Sequence, residues 1–339
     1  MIQRNHIAQF FNEINNKHCL VIGDVMIDAY QWGKVNRISP EAPVPVIELL
    51  KEEERLGGAA NVALNLRSLG AKVSMASIIG NDHAGNTLRE LLGQHQINHE
   101  NVLSVDDRKT TIKTRVIGGS QHLLRIDHED LNHINSNQET QLLESIKNYC
   151  ESTPIDAVVF EDYDKGLFTP SLIKNLVAFF NDKDIKIAVD PKKNQFLDYQ
   201  SIDLFKPNYK ELIEGLKVDH IENDEALINL VKGFLTNQKH RNVLLTLSER
   251  GILSCTANEF FLIPAFKRDI ADVSGAGDTV IAVATLGLAS NLNHHEIALL
   301  SNLAGGIVCE KVGVVAIDPN TLEEEVEKVL SSTHEFSIV

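Results

Sequence analysis

An α/β fold, with a mostly parallel sheet carrying helices on both faces, is the class this sequence predicts, and three observations predict it. Short apolar runs alternate with longer amphipathic stretches along the whole chain. The runs are continuous rather than alternating, which is the pattern of strands buried on both faces. With 339 residues, 43% of them hydrophobic, the chain holds enough apolar surface for a large core.

The strand-like runs come in order as Cys19 to Gly23, Val73 to Gly80, Ala157 to Phe160, Ile185 to Asp190 and Val243 to Leu247. Helical patterns lie between them at Ala59 to Leu69, Thr87 to Leu92, Thr140 to Tyr149, Ser171 to Phe180 and Glu225 to Leu235. Two segments break the rhythm: residues 28–50 and 110–126 are proline-spaced or extended, as in Ala42-Pro-Val-Pro-Val-Ile47 and Thr111-Ile-Lys-Thr-Arg-Val116. Proline favours extended neighbours and strand edges, so these segments are expected to form a small β lid outside the main sheet; surface hairpins are the plainer reading. No repeat or linker divides the chain, and residues 1–339 read as one domain with an excursion.

Composition excludes several functions. A formal net charge of -15 repels polyanions, so no nucleic-acid partner is expected. No stretch of about 18 apolar residues suits a membrane span, and no leader-like segment opens the chain. The four cysteines, Cys19, Cys150, Cys255 and Cys309, have no C-x-x-C spacing, which suits a reducing cytoplasm. The thirteen histidines are scattered, and adjacent His294-His295 lacks the i, i+4 spacing of a helical metal pair, so no histidine is assigned to chemistry.

The chemistry concentrates in Asp272-Val-Ser-Gly-Ala-Gly-Asp278-Thr-Val, followed by a small apolar run to Ala289. This reads as a glycine turn opening a buried helix. Gly275 and Gly277 let the backbone approach a ligand closely, and free N–H groups at a helix start attract anions. A carboxylate among such donors repels phosphate unless it is there to take a proton from an attacking hydroxyl, which is the case for Asp278 as general base. The competing reading is a helix cap. Neither G-x-G-x-x-G nor G-x-x-x-x-G-K-[ST] is completed here.

The string Val273-Ser-Gly-Ala-Gly-Asp-Thr279 resembles the signature of the ribokinase-like (PfkB) carbohydrate kinases. Arg55-Leu-Gly-Gly-Ala-Ala-Asn-Val-Ala63 resembles that family's N-terminal glycine signature, Ile79-Gly-Asn-Asp-His-Ala-Gly85 its strand-ending turn, and Pro207-Asn-Tyr-Lys-Glu211 its N-x-x-E motif. The resemblance implies a ribokinase-like fold and an ATP- and Mg2+-dependent kinase. It implies an anion hole from the N–H groups of Gly275, Ala276 and Gly277, with Asp278 as base. It gives Asn208 and Glu211 to magnesium, through water, and to the nucleotide, and places Ser248, Gly251 and Asn302 beside the nucleotide. Asp28, Gly57, Gly58 and Asn61 would grip the sugar. Capping and close packing are the plainer readings of Asn208, Glu211, Asp28 and Asn61.

A narrower resemblance runs through Gly23-Asp-Val-Met-Ile-Asp-Ala-Tyr30, Arg37-Ile-Ser-Pro-Glu-Ala-Pro-Val-Pro45, Leu124-Arg-Ile-Asp127, Glu161-Asp-Tyr-Asp-Lys-Gly166 and Asp190-Pro-Lys192. It is similar to the kinase domain of the ADP-heptose synthesis enzymes, which implies phosphorylation of C1 of D-glycero-D-manno-heptose 7-phosphate, in the route to lipopolysaccharide. A 7-phosphate needs local cations in an acidic protein. Lys113 and Arg115 have the same parity on a strand and are the candidates, with Arg37, Lys165 and Lys192 as alternatives. A kinase of another sugar, and a sugar- or nucleotide-binding protein without turnover, are the rivals. Lid strands imply edges that a second copy would cover, so a homodimer is expected. No H-x-G-H motif occurs, so a separate nucleotidyltransferase is expected downstream. Lys311-Val-Gly-Val-Val315 departs from the family's smaller or hydroxylated residue after the glycine.

Overall fold

The computed structural model describes residues 2–119 and 121–331. Helix α1 (Arg4–Glu13) precedes the first strand, β1 (His18–Gly23). Two long strands, β2 (Val25–Ile38) and β3 (Pro45–Gly58), then leave the main sheet and return the chain to α2 (Ala59–Ser68). After β4 (Lys72–Gly80), α3 (His83–Gln94) and β5 (Asn98–Val105), a second excursion forms β6 (Thr111–Gly118) and β7 (Gln121–His128). The alternation resumes with α4 (Ser136–Ser152), β8 (Ala157–Glu161), α5 (Pro170–Asp182), β9 (Lys186–Asp190), β10 (Leu204–Phe205), α6 (Tyr209–Leu216), α7 (Asp224–Gln238) and β11 (Asn242–Thr246). A hairpin of β12 (Ile252–Thr256) and β13 (Phe260–Ile263) precedes the last three helices, α8 (Ala276–Ala289), α9 (His294–Cys309) and α10 (Pro319–Ser331).

The main sheet has nine strands in the order β13-β12-β11-β10-β9-β8-β1-β4-β5, parallel except at the β11/β12/β13 edge. Each central strand sends alternate residues to opposite faces. Cys19 and Val21 of β1 join a core built with α1, α2, α3, α8, α9 and α10, whereas Leu20 and Ile22 join one built with α4, α5, α6 and α7. Local signals set the helix starts: Asn135 with Gln138 and Asn293 with Glu296 form reciprocal capping boxes, and Thr169 with Pro170 opens α5.

The two irregular segments pair with each other in a separate four-stranded sheet of order β3-β2-β6-β7. Strands β2 and β6 run parallel with Asp28 opposite Lys113 and Tyr30 opposite Arg115, and both flanking pairs are antiparallel. Each segment is thus an antiparallel hairpin, and the parallel β2/β6 pairing joins the two hairpins into one sheet between residues 85 apart in the chain. Its strands are longer than the breaks in the sequence rhythm, since β2 begins at Val25 and β3 runs on to Gly58.

Candidate active site

In a parallel α/β sheet, ligand sites lie beyond the carboxyl ends of the strands, and here those ends carry charge. Glu161 ends β8, Asp190 ends β9, Lys206 follows β10 and Asp24 follows β1, and all four are buried. Asp24 accepts N–H bonds from Tyr163 at 2.9 Å, Lys165 at 3.1 Å and Leu167 at 3.2 Å, which fixes the loop after β8. That loop presents the Tyr163 hydroxyl.

Asp278 stands in the first turn of α8. Gly275, the residue before the helix, adopts φ 79° and ψ 0°, a left-handed conformation that suits glycine. A Cβ at that position would lie 3.1 Å from Asn61 Nδ2 and 3.2 Å from a Val314 methyl, so side-chain bulk and backbone angle both select glycine. Among the described residues the N–H groups of Gly275 and Gly277 have no partner, while that of Ala276 donates to Val273 O at 3.3 Å. Two of the three expected anion-hole donors are therefore unengaged.

The Asp278 carboxylate accepts one hydrogen bond on each oxygen: Asn61 Nδ2 donates to Oδ2 at 2.7 Å and the Tyr163 hydroxyl to Oδ1 at 2.7 Å. Burial pushes its pKa up to about 6, with the two hydrogen bonds opposing the rise and the nearby Asp190 charge adding to it. Such a carboxyl is mainly ionised at pH 7 yet basic enough to accept a hydroxyl proton. The aspartate makes none of the cap bonds of α8.

Beneath this turn Lys206 Nζ pairs with Asp190 Oδ2 at 2.6 Å, and a Cβ on Gly277 would sit 3.5 Å from that ammonium. Burial works against the Lys206 charge, but Asp190, Glu211 and Glu161 more than offset it and hold its pKa above the ordinary lysine value. Both Glu161 oxygens and Asp190 Oδ1 are buried without hydrogen-bond partners. Burial, then the charges of Asp190 and Asp278, hold Glu161 well above the usual carboxylate range. Tyr163, Asp190, Lys206 and Glu161 were not singled out as functional residues by the sequence reading, although Asp190 and Glu161 open strings quoted above. The signal that finds them is position at strand ends, which needs the sheet order.

Asn208 and Glu211 form a reciprocal capping box on α6: Asn208 N–H donates to Glu211 Oε2 at 2.8 Å and Glu211 N–H to Asn208 Oδ1 at 2.8 Å. The remaining Glu211 oxygen meets Lys192. The plainer reading of this motif therefore holds in the structure. The oxygens around it still suit a hard, hydrated cation, because Glu161 and Asp190 contribute unsatisfied ones from neighbouring strand ends. Ser248, at φ 54°, and Gly251, at φ 95°, shape the turn between β11 and β12. Asn302 on α9 donates to Pro264 O at 2.9 Å and so anchors the segment after β13.

On the separate sheet Arg115 Nη1 meets Asp28 Oδ1 at 2.5 Å and its guanidinium lies 5.1 Å from the Tyr30 ring centre. Gly57 faces the same carboxylate, where a Cβ would come within 2.5 Å of Asp28 Oδ2. Gly58, at φ 57°, precedes α2, whose turn carries Asn61 to Asp278. Lys113 lies 3.3 Å from Asp127 and 3.4 Å from Glu129, and Lys165 contacts Glu129 at 2.7 Å. With side-chain exposures of 13% and 16%, Lys113 and Arg115 are not a solvated strand face. Arg37 lies exposed near the end of β2. The Lys311–Val315 segment bridges the loop before α8 and the small sheet: Gly313 N–H donates to Asp272 at 2.9 Å, and Arg55 Nη1 donates to Val314 O at 3.0 Å.

The chain is 38% identical over 322 residues to the bifunctional protein HldE of Sulfurimonas denitrificans, covering 94% of this chain and 66% of that protein. It is 36% identical over 324 residues to the protein of the same name from Syntrophotalea carbinolica, with 95% and 66% covered. It thus spans slightly less than two thirds of the length of these relatives. Among solved structures, phosphofructokinase-2 from Escherichia coli superposes with a TM-score of 0.78 at 17% identity, over 93% of this chain and 99% of that one. A putative ribokinase from Agrobacterium tumefaciens gives 0.70 at 14% identity, over 93% and 98%. These two likenesses establish a shared fold. A family model described as pfkB family carbohydrate kinase matches residues 16–321, and the chain belongs to that family.

Proposed function

We propose that this chain transfers the terminal phosphoryl group of MgATP to the C1 hydroxyl of D-glycero-D-manno-heptose 7-phosphate. The observation that carries the reading is the Asp278 carboxylate, oriented by Asn61 and Tyr163 beside the free N–H groups of Gly275 and Gly277. Such a carboxylate would take the proton of the attacking hydroxyl, while the N–H groups and Lys206 would receive charge on the transferring group. Magnesium, held through water by Asn208 and Glu211 with Glu161 and Asp190 nearby, would neutralise the ATP phosphates. Its approach would also favour ionised Glu161. Ser248, Gly251 and Asn302 would border the nucleotide.

The choice of heptose 7-phosphate rests on the Arg37-to-Pro45 and Glu161-to-Gly166 strings and on the HldE relatives. Asp28, Gly57, Gly58 and Asn61 would hold sugar hydroxyls, and Lys113 and Arg115 the 7-phosphate, with the four-stranded sheet as the lid of one kinase domain. Four free cysteines, three of them buried, suit a cytoplasmic enzyme, and no described helix is long and apolar enough to cross a membrane. The deciding experiment is an ADP-release assay with heptose 7-phosphate, fructose 6-phosphate and ribose. Heptose 7-phosphate is expected to give a kcat/KM at least about 100-fold above the others, a discrimination that about 2.7 kcal/mol of differential transition-state binding provides. Preference for fructose 6-phosphate or ribose would overturn the substrate, and binding without ADP release would overturn the kinase reading.

A further inference from the structure

We propose that Glu259, His294 and His295 form a binding site for a divalent transition-metal ion of the zinc class, joining the β12–β13 hairpin to the start of α9. The sequence keeps these residues apart, and adjacent histidines lack a helical ligand pair's spacing. Folding supplies the third ligand from another element, because the hairpin turn brings Glu259 over the first turn of α9. His294 Nε2 lies 2.8 Å from Glu259 Oε1, His295 Nε2 lies 4.0 Å from Glu259 Oε2, and the three ligand atoms lie within 4.8 Å of one another.

The backbone around the cluster is fixed. Glu259 N–H donates to Thr256 Oγ1 at 3.2 Å and Glu259 O accepts from Thr256 N–H at 2.9 Å, which locks the turn while leaving the carboxylate exposed. The Asn293 side chain accepts the His295 and Glu296 N–H bonds, and His295 stacks on Phe261 with ring centres 3.9 Å apart. Stacking orients one imidazole as an outer contact orients a metal ligand.

Two features favour an ion over a plain ion pair. The buried His294 Nε2 is 2.8 Å from a carboxylate oxygen but outside good hydrogen-bond alignment, so the two atoms converge on a common point rather than on each other. Two imidazole nitrogens and one carboxylate oxygen form a donor set suited to Zn2+, Cu2+ or Ni2+ rather than Mg2+ or Ca2+. Bonds of about 2.0–2.2 Å in tetrahedral array place ligand atoms about 3.3 Å apart, so the exposed Glu259 side chain needs only a small rotation to close the set, leaving a fourth position for water. None of the three belongs to the Asp278 site, and the proposal does not depend on the substrate assigned above.

The test titrates Zn2+ alone into the purified full chain by calorimetry, with thermal melts in parallel. One saturable equivalent and a melting temperature that rises with Zn2+ are expected. Glu259→Gln and His294→Gln should each weaken that binding by about 100-fold or more, beyond the roughly 10- to 100-fold cost of losing an outer-shell partner. Glu259 is exposed on a turn, so its variant keeps the fold, and a metal-free melt matching wild type checks this. Absence of a saturable equivalent, or binding that survives both substitutions and so belongs to other histidines, overturns the site.

Discussion

At Asp278 a single carboxyl carries both a cost to the fold and the proposed chemistry. Burial raises its pKa from 3.8 to about 6, so folding favours the protonated form. The favourable contribution is present below about pH 4 and is lost as pH rises through about 6, where the ionised group costs on the order of 1–3 kcal/mol. Asparagine has the same shape without the charge: its oxygen can accept from Asn61 while its NH2 donates to the Tyr163 hydroxyl. Asp278→Asn should therefore melt higher than wild type at pH 8, with the gap closing by pH 4, while turnover falls at least about 100-fold. A lower melting temperature at pH 8, or near-normal turnover in a steady-state assay, would contradict the assignment. Wild-type kcat/KM should also fall about tenfold per pH unit below 6, as the base takes up its proton. The motif around Asp278 is legible in the sequence because it is local. Its partners are not, since Tyr163 and Asn61 lie 115 and 217 residues away and only the sheet order brings them in.

One turn of one helix separates the anion-binding reading of α8 from ordinary helix packing. Its N–H groups are exposed to a ligand because Gly275 is left-handed and carries no side chain. Gly275→Val imposes a β-branched residue at φ 79° and drives its Cβ to 3.1 Å from Asn61 Nδ2, the group that orients Asp278. The expected result is a folded protein, by far-UV circular dichroism, whose turnover falls about 100-fold or more; a folded variant with unchanged turnover would remove this loop from catalysis. The helices α1, α6 and α10 were not read in the sequence; five strands of the main sheet and the helices α2, α3, α4, α5 and α7 were legible from periodicity, within a few residues at each end. Helix α9 was not, because it is buried nearly all round and so has no polar face to mark a period. The antiparallel β12–β13 edge was equally hidden, since short apolar runs do not declare their direction.

Across the whole molecule, the four-stranded sheet has one face lined by charged residues and another that carries exposed apolar ones. Cross-strand pairing sets Lys113 with Asp28 and Asp127, and Arg115 with Tyr30 and Arg125, on one face, while Leu124 and Ile126, of opposite parity, share the other. That outer face exposes 51% of Leu124 and 54% of Ile126, which a soluble monomer has reason to cover; we propose that a second copy does so. The existence of these segments as β-structure was legible from proline spacing in 28–50 and from extended, alternating sequence in 110–126, but their register, and hence which residues share a face, was not. The faces can be separated by experiment. Ile126→Glu should shift sedimentation from dimer to monomer, and an unchanged dimer would place the interface elsewhere. Lys113→Ala should leave the dimer intact and weaken heptose 7-phosphate by about 10- to 150-fold relative to unphosphorylated heptose, the scale of one shielded charge-assisted contact. A surface contact would cost only about 0–1 kcal/mol, so the size of the loss also reports whether the sheet closes over the sugar. Calorimetry with both sugars decides it: equal losses would mean a damaged lid, and no loss for either would move the phosphate to Arg37, Lys165 or Lys192.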